Sequence, residues 1–276
     1  MIDRKVTQTL DPTPENTPSS IDSIDRKIEL CHRLHGTSLL SSASTLLRIK
    51  ASTFTTSCTI FHRFYHRCSL KDFDVWSVSM ACILLAGKME EDTRRLREIV
   101  LVFLHLYRRR RLIMIKNPNE FLEKLNMSFE RKCNDNDDDD DDDDDDDRLQ
   151  ISSPVACKLS FEEKENLLRN IPPISTYSRH YQEWKDAMCN TEIVILKVLG
   201  YTLYWIPDSH PHKFILYFAK VMELDEQVAQ RAWNYCNDSC RLDICVRFDA
   251  EVTVSGVNIF VLILKIIISH ISSFRS

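Results

Sequence analysis

The stretch Val75–Met89, reading VWSVSMACILLAGKM, is apolar on nearly every face and rich in small side chains. A helix without a polar face cannot lie on a protein surface. It belongs at the centre of a bundle, where small residues let neighbouring helices approach closely. The flanking sequence supplies those neighbours. Phe54, Cys58, Phe61, Tyr65 and Cys68 recur at alternating spacings of four and three. Ahead of them Ile21, Ile24, Ile28 and Cys31 share one helical face, Gly36 is expected to interrupt, and Leu39, Leu40, Ala43, Leu46 and Leu47 form a second run. Downstream, Leu96, Ile99, Val100 and Phe103 are expected to face inward on a helix that stops near Arg108–Arg111, where positive charge suits a helix C-terminus.

From about 112 to 171 the helical period fades, apart from a short helix expected around Phe121–Phe129. Asp137–Asp147 are eleven consecutive aspartates. Adjacent carboxylates repel one another and cannot be buried together, so the sequence predicts an acidic insertion outside any core. Helical pattern resumes with Tyr181, Trp184, Met188, Ile195 and Leu199 and is expected to end at Gly200. Asp208, Ser209 and Pro211 announce another helix, with Phe214, Ile215, Phe218 and Met222 as its inner face. A further helix follows Asp225, carrying Val228, Ala229, Ala232, Trp233 and Cys236. No convincing alternating strand precedes residue 250.

Composition narrows the function. Four glycines in 276 residues argue against glycine-rich phosphate loops and turn-dense β folds. The formal charge of −5 misleads, because setting the aspartate tract aside leaves 30 acidic residues against 36 Lys plus Arg. Ten cysteines include no C-x-x-C pair, and the polar first 20 residues, with Pro12, Pro14 and Pro18, do not read as a secretory signal. The cysteines are therefore expected to be reduced and packed. Cys236, Cys240, His210 and His212 match no common zinc spacing, so no metal and no cofactor is expected. No side chains pair a nucleophile with a base, and catalytic residues are expected to be absent.

Two charges stand in the wrong place. Lys88 follows Ala81, Leu84 and Leu85 at helical spacing, and Glu192 lies between Met188 and Ile195 on another apolar stripe. A lone charge there would cost several kcal/mol of desolvation. Each must therefore find a partner or reach an exposed edge. The bland alternative is a lysine that reaches solvent at its helix end and a glutamate that caps a backbone group.

Motifs add a resemblance. MACILLAGKMEE (80–91) resembles the cyclin-box signature, TEIVILKVLGY (191–201) is similar to the fifth helix of that box, and FHRFYHR (61–67) to the end of its second helix. RRLREIVLVFLHL (94–106), HPHKFILYF (210–218) and AWNYCNDSCRLDICVRF (232–248) narrow the likeness to cyclins of the L type, of the transcription and splicing class. The resemblance implies an all-α cyclin fold. After a disordered N-terminus (1–20), the first five-helix box would occupy 21–111 plus 172–205, interrupted by the acidic insertion (112–171). An incomplete second box (206–251) and a divergent apolar tail (252–276) would follow. It also implies a regulatory subunit, not an enzyme, that binds and activates a cyclin-dependent serine/threonine kinase in RNA polymerase II transcription and pre-mRNA splicing.

By the same resemblance Lys88 and Glu192 are the kinase-binding pair, splicing factors are further partners, and the location is nuclear. No small-molecule substrate or direct nucleic-acid contact is expected. Two other readings stay open, a truncated fragment that binds kinase without activating it and a transcription-factor-like cyclin-fold core that binds DNA. The match stops near Glu251, as an alternative transcript or a mis-set gene end would produce, and a buried third helix of the second box is expected to be missing. Ile259–Ile268 is too short for a membrane span. The tail is expected to be either a replacement helix or a β-prone, poorly packed segment, leaving residues 206–276 weaker than the first box.

Overall fold

The computed structural model describes residues 17–114, 173–201 and 210–273, with single residues 169, 171, 203, 204 and 206 between them. The aspartate tract, the helix expected at Phe121–Phe129 and the start signal Asp208–Ser209 lie outside the described residues. Within these bounds every regular element is a helix. They are α1 (Arg26–Leu47), α2 (Ala51–Tyr65), α3 (Val75–Met89), α4 (Leu96–Met114), α5 (Arg179–Leu199), α6 (His212–Val221), α7 (Glu226–Ser239) and α8 (Ala250–Ser273). Single helical turns occur at Pro18–Ile21 and Ile244–Arg247.

Contacts divide the chain into two units, one of residues 1–99 with 184–276 and one of residues 100–183. In the second, Val100, Phe103, Leu104, Leu112 and Tyr181 are buried, and the Tyr107 and His180 rings lie 6.4 Å apart. The first unit is built on α3, as its sequence demands. Asp74 caps it, accepting hydrogen bonds from the Trp76 and Ser77 amides. Its residues from Val78 to Gly87 are all buried, and α1 and α2 pack against it.

The expected break at Gly36 does not occur, because α1 runs through it unbroken. The glycine serves packing instead. A Cβ there would lie 2.1 Å from Cζ of Phe61, whose fully buried ring is held by Tyr65 at 5.0 Å and His62 at 5.7 Å. Gly36→Ala is therefore expected to destabilise the fold by about 1 kcal/mol. Overpacking costs roughly 1–3 kcal/mol, and alanine's better helix propensity returns about 1 kcal/mol of it. A melting temperature equal to or above that of the parent would show that α1 and α2 do not meet ring-on-backbone here.

The apolar face read for the start of α1 is also corrected. Ile21, Ile28 and Cys31 are exposed, while Glu29 and Arg33 are buried. Arg33 donates to Glu29 Oε1 from Nε (3.0 Å) and Nη2 (2.8 Å), and to the Tyr65 carbonyl (2.9 Å) at the end of α2. Burial there follows hydrogen bonding rather than hydropathy. In α6 the inward residues are Ile215 and Ala219, with Phe214 and Phe218 partly buried and Met222 exposed.

Beyond α5, which stops at Gly200 (φ 83°) as expected, α6, α7 and α8 enclose their own apolar cluster. It comprises Ile215, Val228, Ala232, Cys236, Val254 and Val261, with Phe214, Phe218, Trp233 and Val257 packed on it. Of the two expectations for the tail, the helix is realised: α8 packs on α6 and α7. Valine and isoleucine disfavour helix by only a few tenths of a kcal/mol each, whereas full burial of one such side chain contributes about 1.5–3 kcal/mol. Asn258 is the exception on this buried face, fully enclosed with neither amide atom hydrogen-bonded.

A polar seam joins α2 to this second cluster. His62 Nε2 meets the Cys240 carbonyl at 3.1 Å, His66 Nε2 meets Asp243 at 2.9 Å, and Thr56 meets His210 Nε2 at 2.6 Å. Burial, reinforced by the Arg33 charge, pushes His62 down to about 3. Burial alone would raise the Asp243 carboxyl, but hydrogen bonds from His66 and Arg247 hold it well below the usual carboxylate range. Burial also raises the thiols of Cys58, Cys82, Cys240 and Cys245 above their ordinary value, which makes them poor nucleophiles.

The seam predicts acid sensitivity. A histidine whose folded pKa is depressed favours the native state fully above its unfolded pKa, and that stability is lost as pH falls toward the folded pKa. For His62 the loss begins near pH 6.5 and reaches about 2 kcal/mol by pH 5. Asp243 adds its own loss only below about pH 4. Thermal melts between pH 7.5 and 5 should show this decline, and His62→Gln should flatten it. An unchanged slope in that variant would assign the sensitivity elsewhere.

Candidate partner interface

Lys88 ends the buried stripe of α3, and Glu192 sits mid-way along α5 between fully buried Met188 and Ile195. The structure brings them together, with Lys88 Nζ donating to Glu192 Oε1 at 2.5 Å. Both expectations for a misplaced charge are met, since each has a partner and the lysine reaches solvent. The Lys88 side chain is 53% exposed and that of Glu192 13%. An ion pair this open contributes about 0–1 kcal/mol to folding. Two Lys88 N–H donors and Glu192 Oε2 remain for another molecule.

The pair forms the rim of a cleft of about 230 Å³ whose walls include Ile83, Leu84, Leu96, Ile99 and Cys189. Leu96, read from sequence as core, is 38% exposed and faces this space. Ile193 on α5 is likewise half exposed. The site is thus a charged pair set beside open apolar surface, with no nucleophile–base pairing. Among the described residues no group of three or more His, Cys, Asp or Glu is placed to hold a metal ion.

The far wall of the cleft is held by residues that sequence reasoning missed. Asp92 accepts from the Lys50 amide (2.8 Å) and the Thr53 hydroxyl (3.2 Å) at the start of α2, which has no side-chain cap of its own. Arg94 donates to Asp92 Oδ1 at 2.8 Å and to the carbonyls of Leu47 (3.0 Å) and Arg48 (2.8 Å) at the end of α1. Burial alone would raise the Asp92 carboxyl, but these donors outweigh it and hold it below its ordinary value. The loop between α3 and α4 is thereby pinned to the corner between α1 and α2. No spacing rule could have found this clamp, because its partners on α1 and α2 are 39 to 47 residues away. Glu90 is also used internally, accepting from Thr56 at 2.5 Å.

Residues 6–130 match the family model described as cyclin, N-terminal domain. The chain is similar to the cyclins over this stretch. This chain is 29% identical over 241 residues to cyclin-L1-1 of Arabidopsis thaliana, covering 87% of this chain and 44% of the relative. It is 28% identical over 237 residues to cyclin-L1 of Homo sapiens, covering 85% of this chain and 34% of the relative. The chain thus spans less than half the length of these curated relatives. Among solved structures, a chain from the crystal structure of the yeast RNA Pol II CTD kinase CTDK-1 complex superposes with a TM-score of 0.59. That match covers 92% of this chain and 63% of the other chain at 11% identity, a likeness of fold.

Proposed function

We propose that this chain is a cyclin, the regulatory subunit of a cyclin-dependent serine/threonine kinase, acting in the nucleus in RNA polymerase II transcription and pre-mRNA splicing, and that it docks through Lys88, Glu192 and the cleft beside them. The observation that carries the reading is the ion pair itself, which joins α3 to α5 at the edge of an open apolar surface while leaving hydrogen-bonding capacity unused. The names of the relatives and the origin of the structural neighbour support the choice of a transcription-linked kinase. On this reading the first box comprises residues 21–111 plus 172–205 and the second begins at 206.

Kinases of this kind switch through a mobile helix whose glutamate must swing inward to meet the ATP-binding lysine. A rigid face formed by α3 and α5 would hold that helix in. All phosphoryl-transfer chemistry would reside in the kinase. Co-expression with a panel of cyclin-dependent kinases, followed by affinity capture and phosphorylation of a polymerase II tail peptide, tests the proposal. Capture with a rise in kinase activity is the expected result. Capture without activation would favour the fragment reading, and capture of no kinase would overturn the assignment.

A further inference from the structure

Two apolar residues of the cleft wall lie outside any helix interior. Ile49 sits in the link between α1 and α2, and Leu96 opens α4; neither is buried. The Asp92–Arg94 clamp grips the backbone on both sides of Ile49. Arg94 Nη2 donates to the carbonyl of Arg48, and the Lys50 amide donates to Asp92 Oδ2, each at 2.8 Å. Arg94 also stands two residues ahead of Leu96, so one short segment ties the two lining residues together.

The same segment is seated on the end of α3. The Asp92 amide donates to the Gly87 carbonyl at 3.0 Å, immediately before Lys88. A Cβ at Gly87 would stand 3.1 Å from the Asp92 carbonyl oxygen, closer than ordinary van der Waals contact, so glycine is what lets the segment lie there. Backbone strain accompanies these ties. Arg48 and Glu91 both take the left-handed region, at φ 52°. Residues with a Cβ disfavour it and keep it only where their surroundings over-determine the conformation. Each adjoins a residue that lines the cleft, Ile49 in one case and Asp92 in the other. The wall is thus held to one geometry by hydrogen bonds at three helix ends, against a local preference to relax.

We infer that Gly87, Asp92 and Arg94 are positioning residues for the docking cleft: they fix the gap between Ile49 and Leu96, and through those two side chains they set the affinity for the partner. The inference rests on the docking reading given above. A cleft shaped before the partner arrives loses less freedom on binding, so loosening its wall lowers affinity without removing a contact.

Arg94→Ala tests this in two ways. In the free chain, maleimide labelling resolved by peptide reports on Cys189, which lines the cleft and is half-buried, against exposed Cys31 and buried Cys58 and Cys82. Cys189 should label several-fold faster in the variant, Cys31 at its parental rate, and Cys58 and Cys82 not at all. Against a kinase captured by co-expression, affinity should fall about tenfold. It should hardly fall when Leu96→Ala is already present, because the loss is routed through that side chain. A residue that served only general stability would lower affinity equally in both backgrounds. If Arg94→Ala fails to fold, Arg94→Lys, which keeps the charge but cannot span the same acceptors, takes its place. Unchanged Cys189 labelling, or equal losses of affinity in the two backgrounds, would overturn the inference. Faster Cys189 labelling in a variant whose parent captures no kinase would sink the docking reading and with it the effect on affinity, while upholding the clamp's hold on the cleft.

Discussion

Arg33→Ala is expected to lower the stability of the folded chain by about 3–5 kcal/mol, the range for breaking a buried ion pair by removing one partner. Three deficits arise together. Glu29 loses both donors on Oε1 and stays buried with only the Thr17 hydroxyl, at 2.7 Å, on Oε2. The Tyr65 carbonyl loses its 2.9 Å hydrogen bond in a buried setting. A positive charge also disappears from the C-terminal end of α2, where the helix dipole favours it. Glu29→Ala should cost somewhat less, because Arg33 keeps its backbone acceptors. Combining the two should cost less than the sum of the single changes, since the second substitution removes a charge that the first had orphaned. Urea unfolding of all three variants would measure this coupling, and strict additivity would mean that the two side chains do not depend on each other.

Lys88→Ala and Glu192→Ala should act in the opposite manner, sparing the fold and damaging recognition. Each is expected to weaken kinase binding by about 2–4 kcal/mol, as for charged groups desolvated at the centre of an interface. Folding should change by less than about 1 kcal/mol, because the lysine is half exposed and the pair is open to solvent screening. Isothermal titration against the partner kinase, with melting curves run in parallel, separates these quantities. Variants that melt early yet bind normally would make the pair structural and return the cleft to unassigned surface.

What was legible in the sequence followed from periodicity, and what was not followed from contacts that periodicity does not encode. The all-round apolar character of Val75–Met89 located the central helix, and Met188, Ile195 and Leu199 located the buried face of α5. Lys88 and Glu192 stood out because charge interrupted those stripes. Gly36 misled because a glycine in a helical pattern reads as a break, whereas here it admits the tip of the Phe61 ring. The start of α1 misled for another reason. Its isoleucines look like core, yet Glu29 and Arg33 take the buried side because α2 offers them carbonyl acceptors, a condition visible only once α2 is in place. The Asp92–Arg94 clamp gave no local signal for the same reason. In α8 the composition understated the helix, since the packing of Val254 and Val261 outweighs their modest helix propensity.

The histidines of α2 carry a consequence for how occupancy at one end of the molecule is felt at the other. His62 and His66 are hydrogen-bonded to residues just beyond α7, and Thr56 to His210, two residues ahead of α6, so the helices on either side of α2 cannot come apart without stranding buried polar groups. They should open together, as one cooperative unit. A ligand that binds only the closed form protects everything that must open with it, by RT ln(1 + [L]/Kd). A partner seated against Lys88 would therefore slow amide hydrogen exchange not only in α3 and α5 but equally in α6 and α7, which it never touches.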